Sequence, residues 1–120
     1  MQKMANPYKI KSRVEYISRR TSGQLSVIAY VSKESQGDIR QAVMDIFRRL
    51  ALEPRYSNAV SFGLVEIRGR GPQPAAVPGR FELDDLPKIV VYRPGGSSVF
   101  ELESLEFQKI KIAIDLALEQ

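Results

Sequence analysis

Residues 25–31 (LSVIAYV) constrain this chain more than any other stretch, because six of the seven are apolar and most are Val, Ile or Tyr. Such side chains favour extended backbone. The run does not alternate with polar residues, so both faces of the strand need cover. It therefore predicts a central strand with packing layers above and below it. Helical spacing follows: Ile39, Val43, Ile46, Phe47 and Leu50 gather into one apolar stripe suited to a sheet. Ser35 and Asp38 form a capping-box pattern at the start of that helix. Pro54 ends it, since the residue before a proline avoids helical angles. Residues 59–67 (AVSFGLVEI) predict another strand that is apolar on both faces. Strand, helix and strand of these lengths suit a right-handed parallel crossover.

The remaining segments fill out an α/β order. Residues 1–7 read as a loose tail, and residues 8–20 alternate in part, with Ile10, Val14 and Tyr16 among Lys9, Lys11, Arg13, Arg19 and Arg20. That pattern predicts a charged, half-buried edge strand. Residues 69–80 hold three Gly and three Pro and predict a loop. Residues 88–93 and 97–102 flank Pro94-Gly95-Gly96 and predict a hairpin. Ser104 is the expected cap of a last helix with Phe107, Ile110, Ile114, Ala117 and Leu118 on one face. Ile112 and Leu116 lie on another face, which suggests a homodimer through this helix. The whole reads as a single domain over residues 8–120.

Composition removes several chemistries. With no Cys and no His, the chain cannot form disulfides, thiolate nucleophiles, histidine-based triads or zinc fingers. Only carboxylates are left to hold a metal, and no cofactor is expected. No apolar run approaches the roughly 18 residues that span a bilayer. The polar N-terminus has no signal-like apolar region. A cytoplasmic protein without membrane contact is the expectation. Residues 1–80 carry 14 basic and 6 acidic side chains and residues 81–120 carry 4 and 8, so the net +4 divides into +8 and −4.

Residues 86–96 (LPKIVVYRPGG) resemble the stretch of thioredoxin-fold proteins that runs proline, apolar strand, turn glycine, second strand. The terminal helix follows at similar spacing, and residues 25–31 match the central strand that leads to the active-site helix. The resemblance covers roughly residues 25–118. It implies a mixed sheet of four to five strands flanked by two or three helices, with Pro87 as the family's cis-proline. It also places the family's cysteine pair near residues 32–35, where this chain has Ser-Lys-Glu-Ser. Serine hydroxyls cannot exchange disulfides near neutral pH. The segment before Pro87 is rich in Gly and Pro where family members carry a helix. The implied protein is a redox-inactive, non-catalytic member that binds protein segments in a groove formed by Tyr30, Ser32, Ser35, Leu86 and Pro87.

A second reading is a nucleic-acid-binding accessory domain. Arg68, Arg70 and Arg80 flank the glycine-rich loop and could grip phosphate, joined by the basic residues of the first strand. Tyr8, Tyr16 and Tyr56 could stack on bases if exposed. No P-loop pattern is present. Glu66-Ile67-Arg68 with Asp45 or Asp84 is a poor match to a carboxylate nuclease site, because Arg cannot serve as a general base. Glu82, Asp84 and Asp85 read as a solvated acidic turn.

Overall fold

The computed structural model describes residues 8–9, 23–33, 37–67, 86–95 and 97–119. The strands are β1 (Tyr8–Lys9), β2 (Leu25–Ser32), β3 (Val60–Ile67), β4 (Lys88–Tyr92) and β5 (Ser98–Leu102). The helices are α1 (Gly37–Ala51) and α2 (Phe107–Leu118), with a 3₁₀ turn at Pro54–Tyr56. Among the described residues the strands form one mixed sheet in the order β1-β3-β2-β4-β5.

The apolar run does what its composition requires. All eight residues of β2 are buried, and the strand lies in the middle of the sheet. On one side it pairs in parallel with β3, from Leu25 opposite Val60 to Ser32 opposite Ile67. On the other it pairs antiparallel with β4, from Ser26 opposite Tyr92 to Tyr30 opposite Lys88. The parallel pair needs a crossover, and α1 with the 3₁₀ turn supplies it. β1 lies at the outer margin, parallel to β3, with Tyr8 opposite Gly63.

Period-two alternation divides the core between the two faces of the sheet. Val27, Ala29 and Val31 pack with Phe62, Leu64, Ile89 and Val91 against the helices. Val43, Phe47 and Leu50 of α1 and Ile110 and Ile114 of α2 enter the same cluster. The Phe47 and Phe62 rings are tilted at 47° with centroids 5.2 Å apart. Each such side chain contributes about 1.5–3 kcal/mol through burial. Ile28, Tyr30, Val65, Ile67, Leu86, Val90 and Tyr92 form a second buried cluster on the other face.

β4 and β5 form the expected hairpin, with Ile89 opposite Leu102 and a bulge at Val91/Tyr92. Its turn closes through the Arg93 N–H, which donates to the Ser97 carbonyl at 2.8 Å. Gly95 adopts φ 99°, a conformation that a side chain disfavours.

The start of α2 differs from the sequence expectation. The N-cap is Glu106, in extended conformation and without a side-chain cap bond. Ser104 lies two residues earlier, and its Oγ accepts the Glu106 N–H at 3.1 Å. The serine thus shapes the approach to the helix. The tail 1–7, residues 10–20 of the expected first strand, Ser35 and the 69–80 loop lie outside the described residues.

Candidate functional site

The carboxyl ends of β2 and β3, the start of α1 and the start of β4 meet at one end of the sheet. The β2–β4 ladder stops at Tyr30 and Lys88, so the next residues of each strand, Val31–Ser32 and Leu86–Pro87, lie just beyond its last rung. The Leu86–Pro87 bond is cis, as the resemblance implies. β2 is also where the connections part, α1 leading to β3 on one side while β4 lies on the other. In open α/β sheets that is the usual place for a ligand crevice.

The structure sorts the sequence-derived groove residues by face and depth. Tyr30 is fully buried, and its Oη lies 2.9 Å from the Tyr92 Oη inside the second cluster. Ser32 is still within β2 and 4% exposed. Leu86 is 8% exposed and packs with Tyr30. These three residues therefore form the wall beneath the site and offer a partner almost no surface. Alternation explains this: Ile28, Tyr30 and Ser32 share a face that is closed. Half-buried Pro87 and Lys88 and exposed Lys33 offer surface there. The Lys33 N–H donates to the Ile67 carbonyl at 2.9 Å, which holds the chain beside β3 as it leaves β2.

Charged side chains ring this end of the sheet. Arg40, on the first turn of α1, brings its Nε to 3.5 Å from the Glu66 carboxylate on β3. The Lys88 Nζ donates to Glu103 Oε1 at 3.2 Å, joining the start of β4 to the segment after β5. The described surface at this end is of mixed sign around an apolar wall.

A second polar cluster lies among the 3₁₀ turn and α2, and sequence reasoning missed it. The Tyr56 hydroxyl donates to Asp115 Oδ1 at 2.5 Å across 59 residues of chain. The Lys111 Nζ donates to Asp115 Oδ2 at 3.2 Å, and Arg55 Nη1 lies 3.3 Å from Oδ1. Burial pushes the Tyr56 hydroxyl far above its ordinary value, and the Asp115 hydrogen bond and charge add to that. For Asp115, burial alone would raise the carboxyl. Hydrogen bonds from Tyr56 and Lys111, with the charges of Lys111 and Arg55, outweigh it and hold the carboxyl below its ordinary value. Tyr56 is 1% exposed, so it cannot stack on a base as the nucleic-acid reading asked. The lone signal for this cluster was Lys111 and Asp115 at i, i+4 spacing on one helix.

Other sequence candidates separate. Glu66 pairs with Arg40, whereas Asp45 takes Gln41 at 3.2 Å and Arg48 at 3.5 Å. No group of carboxylates among the described residues could hold a metal ion. Arg68, Arg70, Arg80 and Asp84 lie outside the described residues, as do Glu82 and Asp85. No helix among the described residues is long and apolar enough to cross a membrane.

A central β2 flanked by a parallel β3 and an antiparallel β4–β5 hairpin, with both helices on one face and a cis-proline opening β4, is a thioredoxin-like fold. The chain carries it without a single cysteine, so thiol–disulfide exchange is impossible. Solved structures agree on the fold. A mutant thioredoxin from Halobacterium salinarum superimposes with a TM-score of 0.72 at 12% identity, covering 98% of this chain and 95% of that one. Thioredoxin O2 from Arabidopsis thaliana in its oxidised state gives 0.67 at 18% identity, with 96% and 97% covered. The Malassezia sympodialis thioredoxin gives 0.66 at 14% identity, with 97% and 96% covered. No family model matches the sequence, and no curated protein is significantly similar to it.

Proposed function

We propose that this chain is a non-catalytic thioredoxin-like domain that binds an extended protein segment beside Pro87, at the carboxyl end of β2. The observation that carries the reading is the end of the β2–β4 ladder at Tyr30 and Lys88. Pro87 and Lys33 there offer surface above the buried wall of Tyr30, Ser32 and Leu86. The thiol chemistry that the fold usually hosts at that end has no residues to perform it. What remains is a shaped end of a rigid sheet, which suits recognition of main chain and apolar side chains.

Amide NMR with a displayed library of extended peptides tests the reading. Selected peptides should move the Lys33 and Lys88 amides and leave those of the 3₁₀ turn and the outer face of α2 in place. Selected peptides that move only resonances away from residues 31–33 and 86–88 would overturn it, and so would a library that yields no binder. The nucleic-acid reading rests on the basic first strand and the loop arginines. A mobility shift that weakens by about 0.9 log units per log unit of salt for each duplex phosphate contacted would support it instead.

A further inference from the structure

We propose that a second copy of this chain docks on the outer face of α2, with the two helices antiparallel about a two-fold axis. The proposal is independent of the groove at the end of β2. α2 buries Ile110, Ala113, Ile114 and Ala117 against the sheet. Its opposite face presents Ile112 at 57% and Leu116 at 46% exposure, two of the three exposed large apolar side chains among the described residues. Residues four apart on a helix are neighbours, so the two form one apolar spot.

The charges around that spot identify the occupant. Lys109 and Glu119 lie on the same outward face, one towards each end of the helix. Each is five residues from the midpoint between Ile112 and Leu116, or about 7.5 Å along the axis. An antiparallel copy centred on that midpoint places Ile112 of one protomer opposite Leu116 of the other. The same operation places Lys109 opposite Glu119, twice. The pattern is its own complement, as an isologous interface requires.

The placement also runs against the helix's own field. A cation near the N-terminus and an anion near the C-terminus are each on the unfavourable end of the macrodipole. The first turn of α2 has no acidic residue and the last has no basic one. An antiparallel neighbour presents the favourable end to each charge. Within one chain Lys109 pairs with Glu106 at 3.6 Å, with both side chains about two-thirds exposed (60% and 67%). A single 12-residue helix gives an interface at or below the low end of stable complexes, so the dimer is weak and concentration-dependent.

Sedimentation equilibrium from about 5 µM to about 1 mM tests this, spanning the range of weak complexes. The mass should climb from monomer towards dimer, with weaker association at high salt. Ile112→Glu should weaken association by more than about tenfold with the circular dichroism unchanged. Lys109→Glu and Glu119→Lys should each weaken it roughly fivefold, and the double swap should restore it. A monomer throughout the range would overturn the proposal. A dimer indifferent to Ile112→Glu, or a double swap that does not recover, would also overturn it, by removing this face or this register.

Discussion

Replacing Tyr56 with Phe removes one hydroxyl and leaves the ring in its buried place. In the folded protein that hydroxyl donates to Asp115 Oδ1, joining the 3₁₀ turn after α1 to the last helix. A hydrogen bond to a charged acceptor contributes about 1.5–3 kcal/mol. The Asp115 side chain is one-quarter exposed and keeps Lys111 at 3.2 Å and Arg55 at 3.3 Å, so the lower figure applies. Urea unfolding at pH 7 should therefore show a loss of about 1.5 kcal/mol. With a slope of roughly 1.5 kcal/mol per molar, the midpoint falls by about 1 M. A pH series adds a signature that cavity formation alone would not give. The folded Asp115 carboxyl titrates below its ordinary value, so its contribution is present above pH 3.8 and disappears as pH falls through the lower folded value. The gap between wild type and Tyr56→Phe should therefore narrow as pH falls below 3.8. In a cycle with Asp115→Asn the two losses should be non-additive by about 1 kcal/mol. A loss below about 0.5 kcal/mol, or a gap unchanged across the acid range, would refute the clamp.

Tyrosine ionisation followed by ultraviolet absorbance should lose, in Tyr56→Phe, a component that titrates well above 10.0 in the wild type. Alkaline stability should fall as pH rises past the ordinary tyrosine range, because the unfolded chain ionises there while the folded one does not. Phe47→Ala empties a fully buried site against Phe62 and should cost about 3–5 kcal/mol by urea unfolding, enough to leave much of the protein unfolded. Arg49→Ala removes a guanidinium 4.2 Å from the centre of the Phe107 ring, between α1 and α2, and should cost about 0.5–1 kcal/mol. An unchanged midpoint would mean that this contact contributes nothing in solution. Gly95→Ala meets no neighbour within 4 Å, so the expected loss of about 1–2 kcal/mol comes from backbone conformation alone. A neutral result would show that the turn relaxes out of its positive φ.

The two central strands, the hairpin and the two helices were legible in the sequence because each carried its own local signal. Residues 25–31 could be central because six of the seven are apolar and they do not alternate with polar residues. The hairpin showed in two apolar runs around Pro94-Gly95, and the stripe over residues 39–50 gave α1. The placement of Pro87 came from resemblance, since a proline opening a strand has many local causes. Depth at the site was harder to read. Tyr30, Ser32 and Leu86 were assigned to a contact surface although alternation along β2 already put Tyr30 and Ser32 on one face. What the sequence lacked was any sign that this face would close around a buried Tyr30–Tyr92 pair. Likewise, Tyr56 and Asp115 meet only after the sheet has folded, and no spacing rule links residues so far apart. Ser104 illustrates a local signal with a local error: it bonds the Glu106 N–H, yet the helix begins after that residue.

β2 has a further consequence, one that concerns synthesis. Its two neighbours are well separated along the chain, β3 starting at Val60 and β4 at Lys88. Translation delivers the N-terminal neighbour first. While β4 is still missing, an eight-residue, largely apolar strand presents one unpaired row of N–H and C=O groups. Such a row is a template for the wrong chain as readily as the right one. The interval before β4 arrives is therefore when a nascent molecule is most exposed to aggregation. Destabilising β4 should lower soluble yield in cells more than an equal thermodynamic loss placed in α2.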